Sequence, residues 1–282
     1  MKLAYSSEEL KKTANDIRID IVESIHCGGS GHPGGSLSIA EMMAVLYFRE
    51  MDVDEKNPKW EDRDRFVLSK GHAAPAYYAA LAERGYFDKE VLKTLRHIDS
   101  ILQGHPDMKK VPGVDMSTGS LGQGISAAAG MARFAKQAGK SFRVYSILGD
   151  GEVQEGQVWE AVMSAGHFKL DNLTAFLDNN DLQIDGHVST EMSVYPIREK
   201  FEAFGWNVVE ADGHDVDDLA EAVAKAKACE GKPTLIWCKT VKGKGVSFME
   251  NQVGWHGKAP NDEQYAQAMA DLEKVGEALC QK

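Results

Sequence analysis

The sequence predicts an α/β fold: a doubly wound, mostly parallel sheet with helices on both faces. Three observations carry this expectation. Short β-type runs recur between helical segments along the chain. Those runs are mostly unbroken apolar stretches rather than strict alternations, as strands covered on both faces are. Glycines, histidines and amides gather just after the runs, where open α/β sheets place their ligand crevices.

The first helix is announced by "SSEELKKTANDIRIDIVESI", where Ser6 and Glu9 have capping-box spacing. Leu10, Ala14, Ile17, Ile21 and Ile25 then form one helical stripe. "SIAEMMAVLYF" repeats the device with Ser38 and Glu41. Strands are expected at 65–69, 143–148, 172–178, 206–212 and 234–241. "EGQVWEAVMSAGHF" and "DVDDLAEAVAKAKAC" read as crossover helices, and "DEQYAQAMADLEKVGEAL" as a last amphipathic one. With no fixed-period repeat and no linker composition, a single domain over residues 1–282 is expected.

Composition narrows the function. A formal charge of −11 argues against nucleic acid as a partner, since phosphate backbones are held by clustered Lys and Arg. Cys27, Cys229, Cys238 and Cys280 show no CxxC or paired Cys/His spacing, so no zinc site is expected and a reducing cytoplasm suits them. The opening "MKLAYSSEEL" lacks the apolar core of a signal peptide, and no run approaches bilayer length. A cytoplasmic protein without membrane contact is the expectation.

Asp150 ends one strand within "GDG", and Asn180 follows the next within "NN". If those strands are neighbours, a carboxylate and an amide oxygen converge on one point. Such hard oxygen ligands suit Mg2+, or Ca2+ as a substitute. Mg2+ commonly completes its shell with phosphate oxygens, so a phosphorylated ligand is the natural partner. Gly151, with no side chain, lets its N–H approach a phosphate at the following helix start. Each motif alone is most simply a turn. On successive strand ends they make a metal–phosphate site the better reading.

"GDG" followed by "NN" resembles the diphosphate-binding signature of thiamine diphosphate enzymes. "SGHPGG" (30–35), "DRFVLSKGHAAPAYYAAL" (64–81), "GHPD" (104–107), "PGVDMSTGSLGQG" (112–124) and "LQIDGHV" (182–188) narrow the resemblance to transketolases, in that family's order. The resemblance implies Asp150, Asn180 and the Leu182 carbonyl as Mg2+ ligands. It places Gly151, His72 and Asn180 on the diphosphate, and Gly119, Ser120 and Leu121 along the cofactor. Leu182 and Ile184 would pack on its rings, and Glu155 would join an interface network between paired sites. His32, His105 and His256 match histidines around the sugars, with His256 also near the diphosphate. Ser120 stands where many long transketolases carry proline.

Transketolases generally have three domains, and this chain matches the first. It therefore resembles the N-terminal subunit of a split transketolase. The resemblance implies a partner subunit carrying the pyrimidine-binding and C-terminal domains, in a two-plus-two heterotetramer. The implied reaction moves a two-carbon ketol unit between sugar phosphates, pentose phosphates by default. Three other readings stay open: the α subunit of a 2-oxo acid dehydrogenase, a deoxyxylulose-phosphate-type synthase, and a non-catalytic cofactor-binding scaffold.

Of nine histidines, six follow a glycine. His187 and His214 read as solvated turns and His167 as a structural residue of a helix, whereas His32, His72, His105 and His256 have motif context. "VKGKGVS" lacks P-loop spacing and reads as a strand-end turn.

Overall fold

A computed structural model describes residues 3–280, and at its centre lies a parallel sheet of five strands in the order β1-β2-β3-β5-β4. The strands are β1 (Arg65–Leu68), β2 (Val144–Gly149), β3 (Leu173–Asn179), β4 (Asn207–Asp212) and β5 (Thr234–Lys239). All five expected runs are present, each within two residues of its expected ends.

The apolar runs are unbroken because both faces of the sheet are covered. In β2, Tyr145 and Ile147 face one core while Val144 and Leu148 face the other. In β3, Phe176 belongs to the first core and Leu173, Ala175 and Leu177 to the second. The first core is closed by α1 (Ser7–Gly28), α2 (Pro33–Leu37), α3 (Ala40–Val45) and α4 (Ala74–Arg84). The second is closed by α5 (Gln123–Gln137) and α6 (Gly156–His167), and, beyond the short α7 (Val188–Glu191), by α8 (Ile197–Ala203). Two further helices, α9 (Val216–Ala228) and α10 (Asp262–Cys280), return to the first core.

The crossovers through α5, α6 and α8 share one face because they run in one direction across the sheet. The step from β4 to β5 runs backwards, so α9 lies on the other face. That reversal sets β5 beside β3, and a crevice opens beyond their carboxyl ends.

In α1 the capping box is complete: Glu9 N–H donates to Ser6 Oγ (3.3 Å) and Ser6 N–H to Glu9 Oε2 (2.7 Å). The whole predicted stripe from Leu10 to Ile25 is buried, each large aliphatic contributing about 2 kcal/mol by leaving water. The second expected capping box is not formed. Ser38 has helical backbone angles between α2 and α3, so no free helix start lies beside its hydroxyl. Its Oγ donates instead to Asp178 Oδ2 (2.7 Å), and Glu41 pairs with Arg18 (2.6 Å).

Candidate active site

β2 and β3 are parallel neighbours, with Gly149 in register with Asp178. Asp150 and Asn180 therefore leave adjacent strand ends, and with Leu182 they line one cavity of about 370 Å³. Asp150 is only 2% exposed and has no cation within salt-bridge distance among the described residues. Its Oδ1 accepts from Gly151 N–H (2.8 Å), and its Oδ2 from Asp181 N–H (2.6 Å) and Asn179 Nδ2 (2.9 Å). Burial, and then the nearby Asp178 charge, push its carboxyl up to about 6 despite those bonds. Asn180 turns Oδ1 toward Leu182 N–H (3.1 Å). A buried carboxylate without a counter-ion, an amide oxygen and a carbonyl on one wall fit a hard divalent cation. Among the described residues no group of three or more His, Cys, Asp or Glu side chains is arranged to hold a metal ion by itself.

Two lysines adjoin these groups in the same cavity. Lys242 is 2% exposed, and its Nζ donates to the Leu182 carbonyl (2.9 Å) and sits 2.9 Å from His256 Nδ1. Burial and the charge of Lys70 lower its ammonium to about 8. Lys70 and His72 line the same cavity. Its mixed walls suit a ligand that is itself a metal–anion pair.

Histidines from four separate segments meet here. The His32 ring lies 5.4 Å from His72, 5.6 Å from His256 and 6.5 Å from His105, and His72 lies 5.1 Å from His256. Burial, reinforced by Arg96, pushes His32 down to about 4; burial with Lys242 takes His256 to about 3. His72 is driven well below its ordinary value by burial and Lys70, and His105 is lowered by burial and Arg96. All four are thus neutral near pH 7, able to accept as well as donate protons.

The structure places the other expected residues around this centre. Leu121 and Ile184 line the cavity, with Ile184 65% exposed at its rim. Ser120 and Glu155 are exposed, and Glu155 also borders the opening. Gly119 has φ +157°, and a Cβ there would come within 3.0 Å of the His105 ring, so this loop closes only around a glycine. Leu182 buries its side chain and offers its carbonyl.

Three residues that the motifs did not single out complete the site: Lys242, Lys70 and Arg96. Lys242 belongs to "VKGKG", the segment that follows β5; its strand-end position was the available signal. Arg96 reaches Ser30 Oγ (3.3 Å) and His32 Nδ1 (3.4 Å) at the histidine end. His214 corrects its reading as a solvated turn. Its Nδ1 lies 3.1 Å from Glu41 Oε2, and its Nε2 accepts from Val241 N–H at 2.8 Å. It is held because Glu41 is buried and needs donors. His187 is exposed beside Asp181, and His167 ends α6.

Sheet, crevice and loops together define the cofactor-binding domain of a thiamine diphosphate enzyme. The chain belongs to the transketolase family: "Transketolase, thiamine diphosphate binding domain" matches residues 9–274. It is 49% identical over 95% of its length to the 6-deoxy-6-sulfo-D-fructose transketolase subunit SqwG of Clostridium sp. (strain MSTE9), covering 98% of that protein. It is 40% identical to one of the apulose-4-phosphate transketolase subunits of Phocaeicola vulgatus, over 96% of each chain. Human transketolase is 47% identical over 89% of this chain, which spans only 40% of that longer protein. The solved transketolase of Campylobacter jejuni superposes with a TM-score of 0.90 at 32% identity, over 98% of this chain and 46% of its own. No helix among the described residues is long and apolar enough to cross a membrane.

Proposed function

We propose that this chain is the cofactor-binding subunit of a two-chain transketolase that moves a two-carbon ketol unit from a ketose to an aldose. The observation that carries the reading is that Asp150, Asn180 and the Leu182 carbonyl line one cavity together with Lys242, His72 and His256. The first three would hold Mg2+, with Ca2+ as a substitute. The second three, with the N–H of Gly151, would hold the diphosphate. Bound thiamine diphosphate supplies the carbanion chemistry that makes and breaks the ketol bond. Gly119, Ser120 and Leu121 would lie along its length, and Leu182 and Ile184 against its rings.

His32 and His105 would lie beyond the diphosphate end, and His256 between them and the diphosphate, all as neutral imidazoles. Each can take a proton from one sugar hydroxyl and return it to another oxygen. Arg96, fixed against His32, orients the sugar end. Glu155, exposed at the rim, would meet a partner subunit that contributes the pyrimidine-binding and C-terminal domains, in a two-plus-two assembly. The size match to two relatives named as subunits supports that division.

The donor is a ketose bearing a terminal anion, phosphate or sulfonate. The assay that tests the reaction class offers fructose 6-phosphate, 6-deoxy-6-sulfofructose or pyruvate to the reconstituted enzyme with an aldose acceptor. Ketol transfer from either sugar is expected. Turnover of pyruvate in place of either sugar, with an added electron acceptor or with glyceraldehyde phosphate, would instead identify a 2-oxo acid dehydrogenase or a synthase of the deoxyxylulose-phosphate type respectively.

A further inference from the structure

The lining of the cavity includes an ion pair to which the reaction above gives no task. Asp178, 1% exposed, accepts at Oδ2 from Lys70 Nζ (2.5 Å), Ser38 Oγ (2.7 Å) and Asn180 Nδ2 (3.1 Å), and at Oδ1 from Thr240 Oγ1 (2.5 Å). Lys70, 2% exposed, also donates to the Gly35 carbonyl (2.6 Å) and lines the cavity.

Two consequences follow for Asn180. An ionised carboxylate only accepts, so the amide must turn its NH2 toward Asp178. The Leu182 N–H only donates, and it lies 3.1 Å from Asn180 Oδ1 on the other side. The amide is locked from both ends, with its oxygen turned away from Asp178. For Lys70 the consequence is electrostatic. Lys242, with no carboxylate partner among the described residues, already donates to the Leu182 oxygen; a second uncancelled ammonium at Lys70 would add to the repulsion of any cation held by Asp150 and Asn180, and Asp178 cancels that second charge.

We infer that Asp178 is a positioning residue for the cation end of the site, aiming the Asn180 oxygen and neutralising Lys70. The inference rests on Asp150, Asn180 and Leu182 being the cation ligands. Its competitor is a buried ion pair that serves stability alone.

The full-length chain is titrated calorimetrically with inorganic diphosphate, with and without excess Mg2+. The quantity read is the factor by which Mg2+ strengthens binding. Asp178→Asn preserves shape but leaves Lys70 uncancelled, so that factor should fall by about tenfold or more, without loss of metal-free affinity. Lys70→Met leaves the Asp178 charge behind and should raise the factor. Should Asp178→Asn fail to fold, the double variant, which removes both charges, is measured beside Lys70→Met and should show the lower factor of the two. A stability-only pair predicts that both single variants lower melting temperature and leave the factor unchanged; that result overturns the inference. A wild-type chain whose diphosphate binding ignores Mg2+ would overturn the ligand assignment itself, and this inference with it.

Discussion

The ammonium of Lys242 lies 2.9 Å from the main-chain oxygen of Leu182, and among the described residues no carboxylate reaches it within salt-bridge distance. The same oxygen is the one assigned to Mg2+. Lys242 thus stands where a cation is wanted, in the cavity that the diphosphate would share.

Lys242→Met should weaken thiamine diphosphate binding by about tenfold or more, since a buried charge-assisted contact is lost. The unliganded chain should melt no lower than wild type, because an unpaired buried ammonium has been removed. Calorimetry and thermal melting check the two halves separately.

Asp150→Asn should abolish the Mg2+ dependence of cofactor binding with little change in apo stability, the bond to Gly151 N–H being exchanged for relief of a buried charge. Asp150→Ala is harsher than a loop position implies. It strips the acceptor from Asp181 N–H and Asn179 Nδ2 and should cost about 1–3 kcal/mol in denaturant melts as well.

Much of this was legible in the sequence, for identifiable reasons. Tyr145, Ile147 and Leu148 sit on both faces of β2, so the unbroken run reported the two-sided burial. That Asp150 and Asn180 would meet was visible because both follow apolar runs one crossover apart, which makes their strands neighbours. Lys70, Lys242 and Asp178 were not. A lysine in a Gly-rich turn reads as solvated, and its burial depends on how β5 is inserted beside β3. His214 was misread for the same cause: Glu41, its partner, lies 173 residues away. Ser38 looked like a cap because the join of α2 to α3 leaves no mark in the sequence.

His105 lies among the histidines but does not line the cavity with Lys242 and Asp150. His105→Ala should therefore lower turnover or raise the KM for sugar while leaving cofactor affinity within about twofold. Steady-state kinetics alongside cofactor titration separates these effects.

Asp20 in α1 is 3% exposed, and its carboxyl is pushed up to about 7 by burial, against Lys89 and with help from Glu83. A carboxyl raised above its unfolded value stabilises the fold most at low pH, and that contribution is lost as pH rises through the folded value. Wild type should therefore lose stability relative to Asp20→Asn between about pH 4 and 7. Urea melts across that range check the sign. Parallel curves for the two proteins would refute it.

On the proposed reading this chain supplies one end of a shared active site. Asp150 and Asn180 through Mg2+, with Lys242 and His72, would hold the diphosphate, but the aminopyrimidine needs a carboxylate at its ring nitrogen, which would come from a partner. The direct measurement is ketol transfer from ketose to aldose, with Mg2+ and thiamine diphosphate, by the purified chain and by the chain mixed with a C-terminal transketolase subunit. No turnover alone and restored turnover on mixing, saturating at equal amounts of the two chains, is the predicted result. Sustained turnover by this chain alone, with no partner in the preparation, would contradict the account.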